Sequence, residues 1–273
     1  MTNLATLSEN ITSLAGGIWK TEHPEDISYT KDGHQHIKHV EHKSFWFEHR
    51  TRCLRTVLQH FPFSGPVLDV GGGNGSFSLW LQSEGLETVL LEPGTDGAEN
   101  AHKAGVKHVI NGSLLGAGFK EEAFAATVAL DVMEHIEDHD QFVQEIHRIM
   151  QSTGRLLLTV PALPFLFSDF DREVGHFRRY TLAQLSHLLK AHGFEVEYQT
   201  YFFAMLPIPV FIFRKLLNRK SQTPGSNLKG HFQRNSITGH LLKPFLKLEA
   251  YLISKRVRLP IGTSCLIIVR KPK

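Results

Sequence analysis

Cysteine is scarce in this 273-residue chain: Cys53 and Cys265 are the two, far apart and at no metal or redox spacing. That excludes a disulfide framework and a thiolate metal cluster, and both read as packing residues in a reducing compartment. Long apolar runs are missing as well. No stretch reaches the roughly 18 apolar residues of a membrane-spanning helix. Charge of one sign is also lacking: 30 Lys and Arg stand against 27 Asp and Glu, a net +3 with His neutral. Without a clustered basic footprint, no nucleic-acid partner is expected. The opening stretch MTNLATLSENITSLAGGIWK has no basic n-region followed by an apolar h-region, so no signal peptide is predicted and the expected compartment is the cytoplasm.

What is present suits an ordinary globular chain, with 41% hydrophobic and 21% charged residues. Histidine is abundant at 17, and five crowd together as His34, His36, His39, His42 and His49. No thiolate and no HExxH pattern supports a metal site there, so no metal is expected and a solvated, partly helical face is the reading.

Residues 1–40 are polar and broken by Gly16-Gly17, Pro24 and Gly33. From about Val40 the apolar spacing predicts a helix ending before FPFSGP. Short apolar strands and amphipathic helices then alternate. PVLDV, ETVLLE, KHVIN, AATVALD, GRLLLTVP and FEVEYQTYF read as strands, and TSCLIIVRK as a seventh, added at the sheet edge or between neighbours. Helices are predicted from about Ser76, around Gly97 to Ala104, from Asp138 to Met150, and over TLAQLSHLLKAHG. The pattern predicts an α/β, Rossmann-like, doubly wound and mostly parallel seven-stranded sheet. Residues 41–200 and 262–273 form that domain, and 201–261 is a helical cap or insert far longer than a normal connection.

The stretch VLDVGGGNGSFSLWL concentrates glycine where a backbone must approach a ligand closely. In an open parallel sheet this loop, after the first strand, meets ligands at the carboxyl ends of the strands. The dinucleotide fingerprint needs glycines at relative positions 1, 3 and 6. Gly71 and Gly73 fit, but position six is Ser76, and no Gly-Lys-Ser/Thr of a P-loop follows.

The series Asp69, Gly71, Gly73, Gly75, followed by Glu92 about twenty residues on, resembles the first motifs of class I S-adenosylmethionine-dependent methyltransferases. FWFEHR, DVMEHIED and LFSDFDREVGHFRRYTLAQLSHLLKAHGFEV narrow the resemblance to the bacterial type 11, 12 and 23 subgroup, over about residues 40–200. The resemblance implies S-adenosyl-L-methionine as cofactor, with Glu92 on the ribose hydroxyls, Asn111 or Ser113 near the adenine, and Asp131 at the fourth strand end. It further implies that Asp69 orients the glycine loop or reaches the methionine amino group through water. Arg50 would bind the methionine carboxylate from a helix folded over the site.

Acceptor chemistry points to His135 and His176. His135 reads as a general base near neutral pH, or as a capping or adenine-flanking residue. Glu134, Arg178, Arg179 and Tyr180 are candidate substrate contacts. The arginines suit a phosphate, carboxylate or sugar oxygen, or else pair with Asp169, Asp171 or Glu173 to brace the loop. Phe165, Phe167 and Phe170 line an apolar acceptor pocket or belong to the core.

Within the insert, the apolar YFFAMLPIPVFIF runs into Arg214, Lys215, Arg219 and Lys220. That suits a cap over the site, a homodimer surface, or peripheral contact of residues 201–220 with the inner membrane. The expected activity is transfer of a methyl group to a small-molecule or lipid- or sugar-linked acceptor, with O-methylation favoured. The competing readings are an NAD-dependent oxidoreductase and a non-catalytic S-adenosylmethionine-binding protein. An RNA methyltransferase ranks below both, since DVMEH stands where an Asn-Pro-Pro-Tyr-type tetrad belongs.

Overall fold

The computed structural model describes residues 4–8, 10–13, 17–21, 44–207 and 237–273. His34, His36, His39 and His42, and the basic end of the apolar insert from residue 208 on, lie outside them.

All seven strands expected from the sequence form, and two more join them. The elements are α1 (Leu4–Leu7), β1 (Ile11–Ser13), β2 (Ile18–Thr21), α2 (Phe45–His60), β3 (Val67–Val70), α3 (Ser76–Ser83), β4 (Thr88–Glu92), α4 (Thr95–Ala104), β5 (His108–Asn111), β6 (Phe124–Leu130), α5 (His139–Ile149), β7 (Met150–Pro161), α6 (Asp169–Glu173), α7 (Leu182–Ala191), β8 (Glu195–Phe202), α8 (Ile237–Ser254) and β9 (Ser264–Arg270). They build a nine-stranded sheet in the order β1-β2-β5-β4-β3-β6-β7-β9-β8. The expected count of seven is therefore corrected to nine, because β2 pairs parallel to β5 and β1 folds back antiparallel on β2.

The core strands β5, β4, β3, β6 and β7 are parallel. Strand order reverses at β3, which lies between β4 and β6. That switch point opens a crevice at the carboxyl ends of the strands, where the glycine loop leaves β3. β9 runs antiparallel between β7 and β8, which settles its place inside the sheet.

Both faces are covered, as a parallel sheet requires. On β9, Cys265, Ile267 and Val269 join the core beneath α5 and α7, while Leu266 and Ile268 join the core beneath α2, α3 and α8. That period of two is the signature of a doubly buried strand.

Helix ends follow local chemistry. The Ser44 hydroxyl accepts from the Trp46 amide to start α2, Asp138 accepts from Gln141 N to start α5, and Thr181 and Gln184 form a capping box on α7. α8 continues through Pro244. Its buried positions are Leu246, Glu249, Ala250 and Ile253, whereas Phe245 and Leu248 face outward. The sequence spacing of Leu241, Phe245, Leu248 and Leu252 predicts an amphipathic helix interrupted by Pro244; the helix forms, but its buried face lies elsewhere, with Glu249 bonded to His49 of α2. Among the described residues no helix is long and apolar enough to cross a membrane.

Candidate active site

The glycine loop is held from below by Asp69. This side chain is 1% exposed and its Oδ2 accepts from the Ser78 hydroxyl at 2.6 Å, tying the loop to the first turn of α3. Burial pushes the Asp69 carboxyl up to about 6, against the pull of Ser78 and the Arg50 charge. Gly71 and Gly73 sit at φ +64° and +56°, a region that side chains strain to enter. Their surroundings differ. A Cβ on Gly71 would lie 2.6 Å from Val132 Cγ2, whereas one on Gly73 would meet nothing within 4 Å. Gly71 packs against protein, and Gly73 faces open space. Gly75, left-handed at the start of α3, is confined by Val106 and Ala101.

Glu92 ends β4 and is 4% exposed. Its two carboxylate oxygens accept from the backbone amides of Gly73 at 2.8 Å and Gly94 at 2.7 Å. One acid thus fixes two loops at the end of β4. Asn111 ends β5 and donates to the Glu92 and Pro93 carbonyls, and the Ser113 hydroxyl accepts from Gly116 N. Asn111, Gly112 and Ser113 line a small cleft with Pro93 and Thr95. Lys20 and Thr21 of β2 close its far side, a contribution that the sequence of a four-residue strand does not advertise.

α2 folds over this crevice. Arg50 Nη1 donates to Asp131 Oδ2 at 2.6 Å, and its guanidinium lies 4.8 Å from the Trp46 ring centre and 5.1 Å from that of Phe47. Arg50 Nε is buried without a hydrogen-bond partner. Asp131 holds a left-handed backbone at φ +57° and also accepts from the Thr159 hydroxyl. A strained acid and a buried guanidinium nitrogen without a partner, joined by one ion pair at the end of β6, suit a polar ligand. The residues present fit S-adenosylmethionine: open space over Gly73, an acid at the β4 end, and a buried donor suited to a carboxylate.

Beyond β6 the chain turns through Met133–His135 and brings Glu134 and His135 against the segment after α6. The His135 and His176 rings meet edge to face with centres 4.6 Å apart. Glu134 is fully buried, and neither of its carboxylate oxygens has a hydrogen-bond partner. Burial, then the Asp131 charge, raises its carboxyl well above the ordinary range, while the Arg179 and Arg50 charges oppose. His176 Nδ1 stands 3.2 Å from Asp171 Oδ1. Asp171 is itself buried and gripped by Arg179 through Nε at 2.8 Å and Nη2 at 2.5 Å.

Arg179 thus braces the loop through Asp171 and the Ala162 carbonyl. Arg178 donates to the Glu137 carbonyl and lies over Phe177. The Tyr180 hydroxyl pairs with His139 Nδ1 at 3.0 Å, and burial raises its pKa. Phe165 is 66% exposed, outside the core.

His49 departs from the solvated face expected of it. It is 1% exposed and its Nε2 lies 2.6 Å from Glu249 Oε1 on α8, with Cys53 Sγ 3.4 Å away. A contact that short is a direct hydrogen bond, with no room for an ion between the two atoms. Burial, with the Glu249 charge added, drives the Cys53 thiol upward. Glu249 also accepts from the amides of Phe203 and Ala204.

Comparison with known proteins agrees with this geometry. A family model described as a methyltransferase domain matches residues 38–199. A curated relative from Mycolicibacterium smegmatis, named "Probable S-adenosylmethionine-dependent methyltransferase", is 26% identical over 173 residues, covering 60% of this chain and 65% of its own length. This chain therefore spans less than two thirds of that relative. A solved structure of Haemonchus contortus phosphoethanolamine N-methyltransferase 2 in complex with S-adenosyl-L-methionine superposes with a TM-score of 0.59 at 19% identity, over 90% of this chain and 58% of that one. An S-adenosylmethionine-dependent methyltransferase from Mesorhizobium loti gives 0.53 at 14% identity, over 85% and 97%. With the glycine loop, the acid at the β4 end and the switch-point crevice in place, the chain belongs to the methyltransferase-domain family and has the fold of S-adenosylmethionine-dependent methyltransferases.

Proposed function

We propose that this chain is an S-adenosylmethionine-dependent methyltransferase that methylates a hydroxyl on a small or lipid- or sugar-linked acceptor. The observation that carries the hydroxyl is the His135–His176 pair beside Glu134, at the carboxyl ends of the strands. A hydroxyl needs its proton removed, or its oxygen polarised, before it can accept a methyl group, and imidazoles oriented by a carboxylate serve that need. The lipid-linked option rests on the apolar and basic sequence of residues 201–220.

Bound in the crevice, S-adenosylmethionine supplies a methyl group already activated by its sulfonium. The chain supplies position. Glu92 would hold the ribose hydroxyls, Arg50 would supply a charged donor to the methionine carboxylate, and Asn111 and Ser113 would line the cleft for the adenine. Asp171, held by Arg179, fixes the His176 ring, and α2 closes the crevice against water.

The test is a methyl-transfer screen over matched hydroxyl and amine acceptors, lipid-linked sugars included. Turnover should appear on hydroxyls and fall by about 10²-fold or more in His135→Asn and His176→Asn. Affinity for S-adenosylmethionine should stay within twofold in both. Turnover confined to amines and indifferent to the two histidines would overturn the hydroxyl assignment.

A further inference from the structure

We propose that Glu134, His135 and His176 form a binding site for one divalent first-row transition-metal ion. One ligand atom from each residue lies within 4.8 Å of the others. The chain's sequence shows no thiolate cluster or HExxH pattern, so this set is assembled only by folding: two ligands leave the end of β6 and the third follows α6.

The strongest observation is Glu134. Its side chain is 1% exposed, and both oxygens lack a donor. A buried carboxyl without a partner carries its charge only at a cost of several kcal/mol, so it either stays protonated or takes a cation as counter-charge. Among the described residues no arginine or lysine pairs with it: Arg179 is held by Asp171 and Arg50 by Asp131. The nearest imidazole nitrogen, His176 Nε2, is 3.9 Å from Glu134 Oε1. That gap is too wide for a hydrogen bond. Two ligand atoms each roughly 2.0–2.2 Å from one tetrahedral ion stand about 3.3–3.6 Å apart, so an ion would draw His176 a few tenths of an ångström toward Glu134.

The surroundings are those of a metal-binding histidine. Ligating imidazoles commonly turn the far ring nitrogen to a carboxylate, which sets the tautomer and aims the other nitrogen inward. His176 does this through Nδ1 and Asp171, and Arg179 fixes Asp171 in turn. Glu134 closes the site from below, while the two histidines are only partly buried. One side is left for water or an acceptor oxygen, as in metal sites that act on substrates. Two imidazoles with one carboxylate favour Zn2+, Mn2+ or Co2+ over Mg2+, which prefers all-oxygen shells.

This inference deepens the hydroxyl reading, since a bound cation would polarise the acceptor oxygen. Its test needs neither acceptor nor cofactor. The metal-free full chain is titrated with Zn2+, Mn2+, Co2+ and Mg2+ separately by calorimetry, beside Glu134→Gln and His176→Asn. One transition-metal ion per chain is expected, more tightly than Mg2+, with affinity at least tenfold weaker in each variant while both still bind S-adenosylmethionine. X-ray absorption of the zinc-loaded wild-type chain should show two imidazoles with oxygen ligands, a readout that stands even where a variant misfolds. Absence of binding, binding unchanged in both variants, or a shell containing sulfur or more than two imidazoles would overturn the site. The last two results would move the ion to the His34–His42 stretch or to Cys53. Failure of cation binding alongside methyl transfer to hydroxyls would leave the proposed function standing.

Discussion

His49 and Glu249, 200 positions apart, meet at 2.6 Å inside the protein and join the helix over the crevice to the helix of the insert. The next residue after His49 is Arg50, which reaches Asp131. The helix of the insert is therefore tied, through neighbouring residues of α2, to the acid at the end of β6.

Glu249→Ala should destabilise the fold strongly. It strips the acceptor from His49 and from the amides of Phe203 and Ala204. Leaving such buried donors unpaired costs about 3–5 kcal/mol in sum. At 2–4 °C per kcal/mol for a chain of this size, Tm should fall by roughly 10 °C or more. Glu249→Gln keeps an acceptor and should lose less. A melting curve for Glu249→Ala within a degree of wild type would show that the junction carries no strain-bearing contact.

Gly71 and Gly73 should separate folding from binding. Gly71→Ala forces a Cβ into Val132 at a positive φ, so it should cost about 1–3 kcal/mol of stability. Gly73→Ala meets no protein atom and carries only the backbone penalty of about 1–2 kcal/mol. Its methyl group enters the space left for the ligand, so affinity for S-adenosylmethionine should drop tenfold or more. Paired Tm and calorimetric titrations decide it, and equal affinity in Gly73→Ala and wild type would place the cofactor elsewhere.

Asp69 should give stability an unusual slope with pH. Its folded pKa of about 6 lies above the ordinary carboxylate value, so between the two the folded state binds more protons than the unfolded. Stability from this group is then complete in acid and lost as pH rises through about 6. Asp69→Asn, which stays neutral, should gain on wild type between pH 4 and pH 7. Urea midpoints across that range test it, and a pH-independent difference between the two proteins would contradict the raised pKa.

Arg50→Lys should weaken S-adenosylmethionine and S-adenosylhomocysteine alike, by roughly 10- to 100-fold, for the loss of a charged hydrogen bond worth about 1.5–3 kcal/mol. Methylthioadenosine has no amino-acid carboxylate and should bind both proteins equally. A matching loss for methylthioadenosine would assign Arg50 to the lid alone.

The parallel strands were legible because each is a short apolar run bounded by breakers, and VLDV or TVLLE is buried throughout. β1 and β2 were not, since three and four mixed residues carry no period that separates strand from loop. The glycine loop and Glu92 announced themselves by spacing. The brace after α6 was legible as a choice, Arg178 or Arg179 on Asp169, Asp171 or Glu173, and folding selects Arg179 with Asp171. That Glu134 would be buried without a donor was not legible, since it depends on chain segments brought together only by the sheet. His49 misled for the same reason, as its partner lies in a helix whose buried face is set by Glu249.

The position of β9 has a temporal side. Among the described residues β8 borders only β9 in the sheet, yet it is synthesised some sixty residues earlier. While the chain emerges from the ribosome, the glycine loop and β3 to β7 can already pair, but β8 must wait for Ser264–Arg270 before its backbone finds a partner. The switch-point crevice beside the glycine loop can therefore take shape during translation, and the lock that Glu249 provides, which needs the β8 exit at Phe203 and Ala204, closes last.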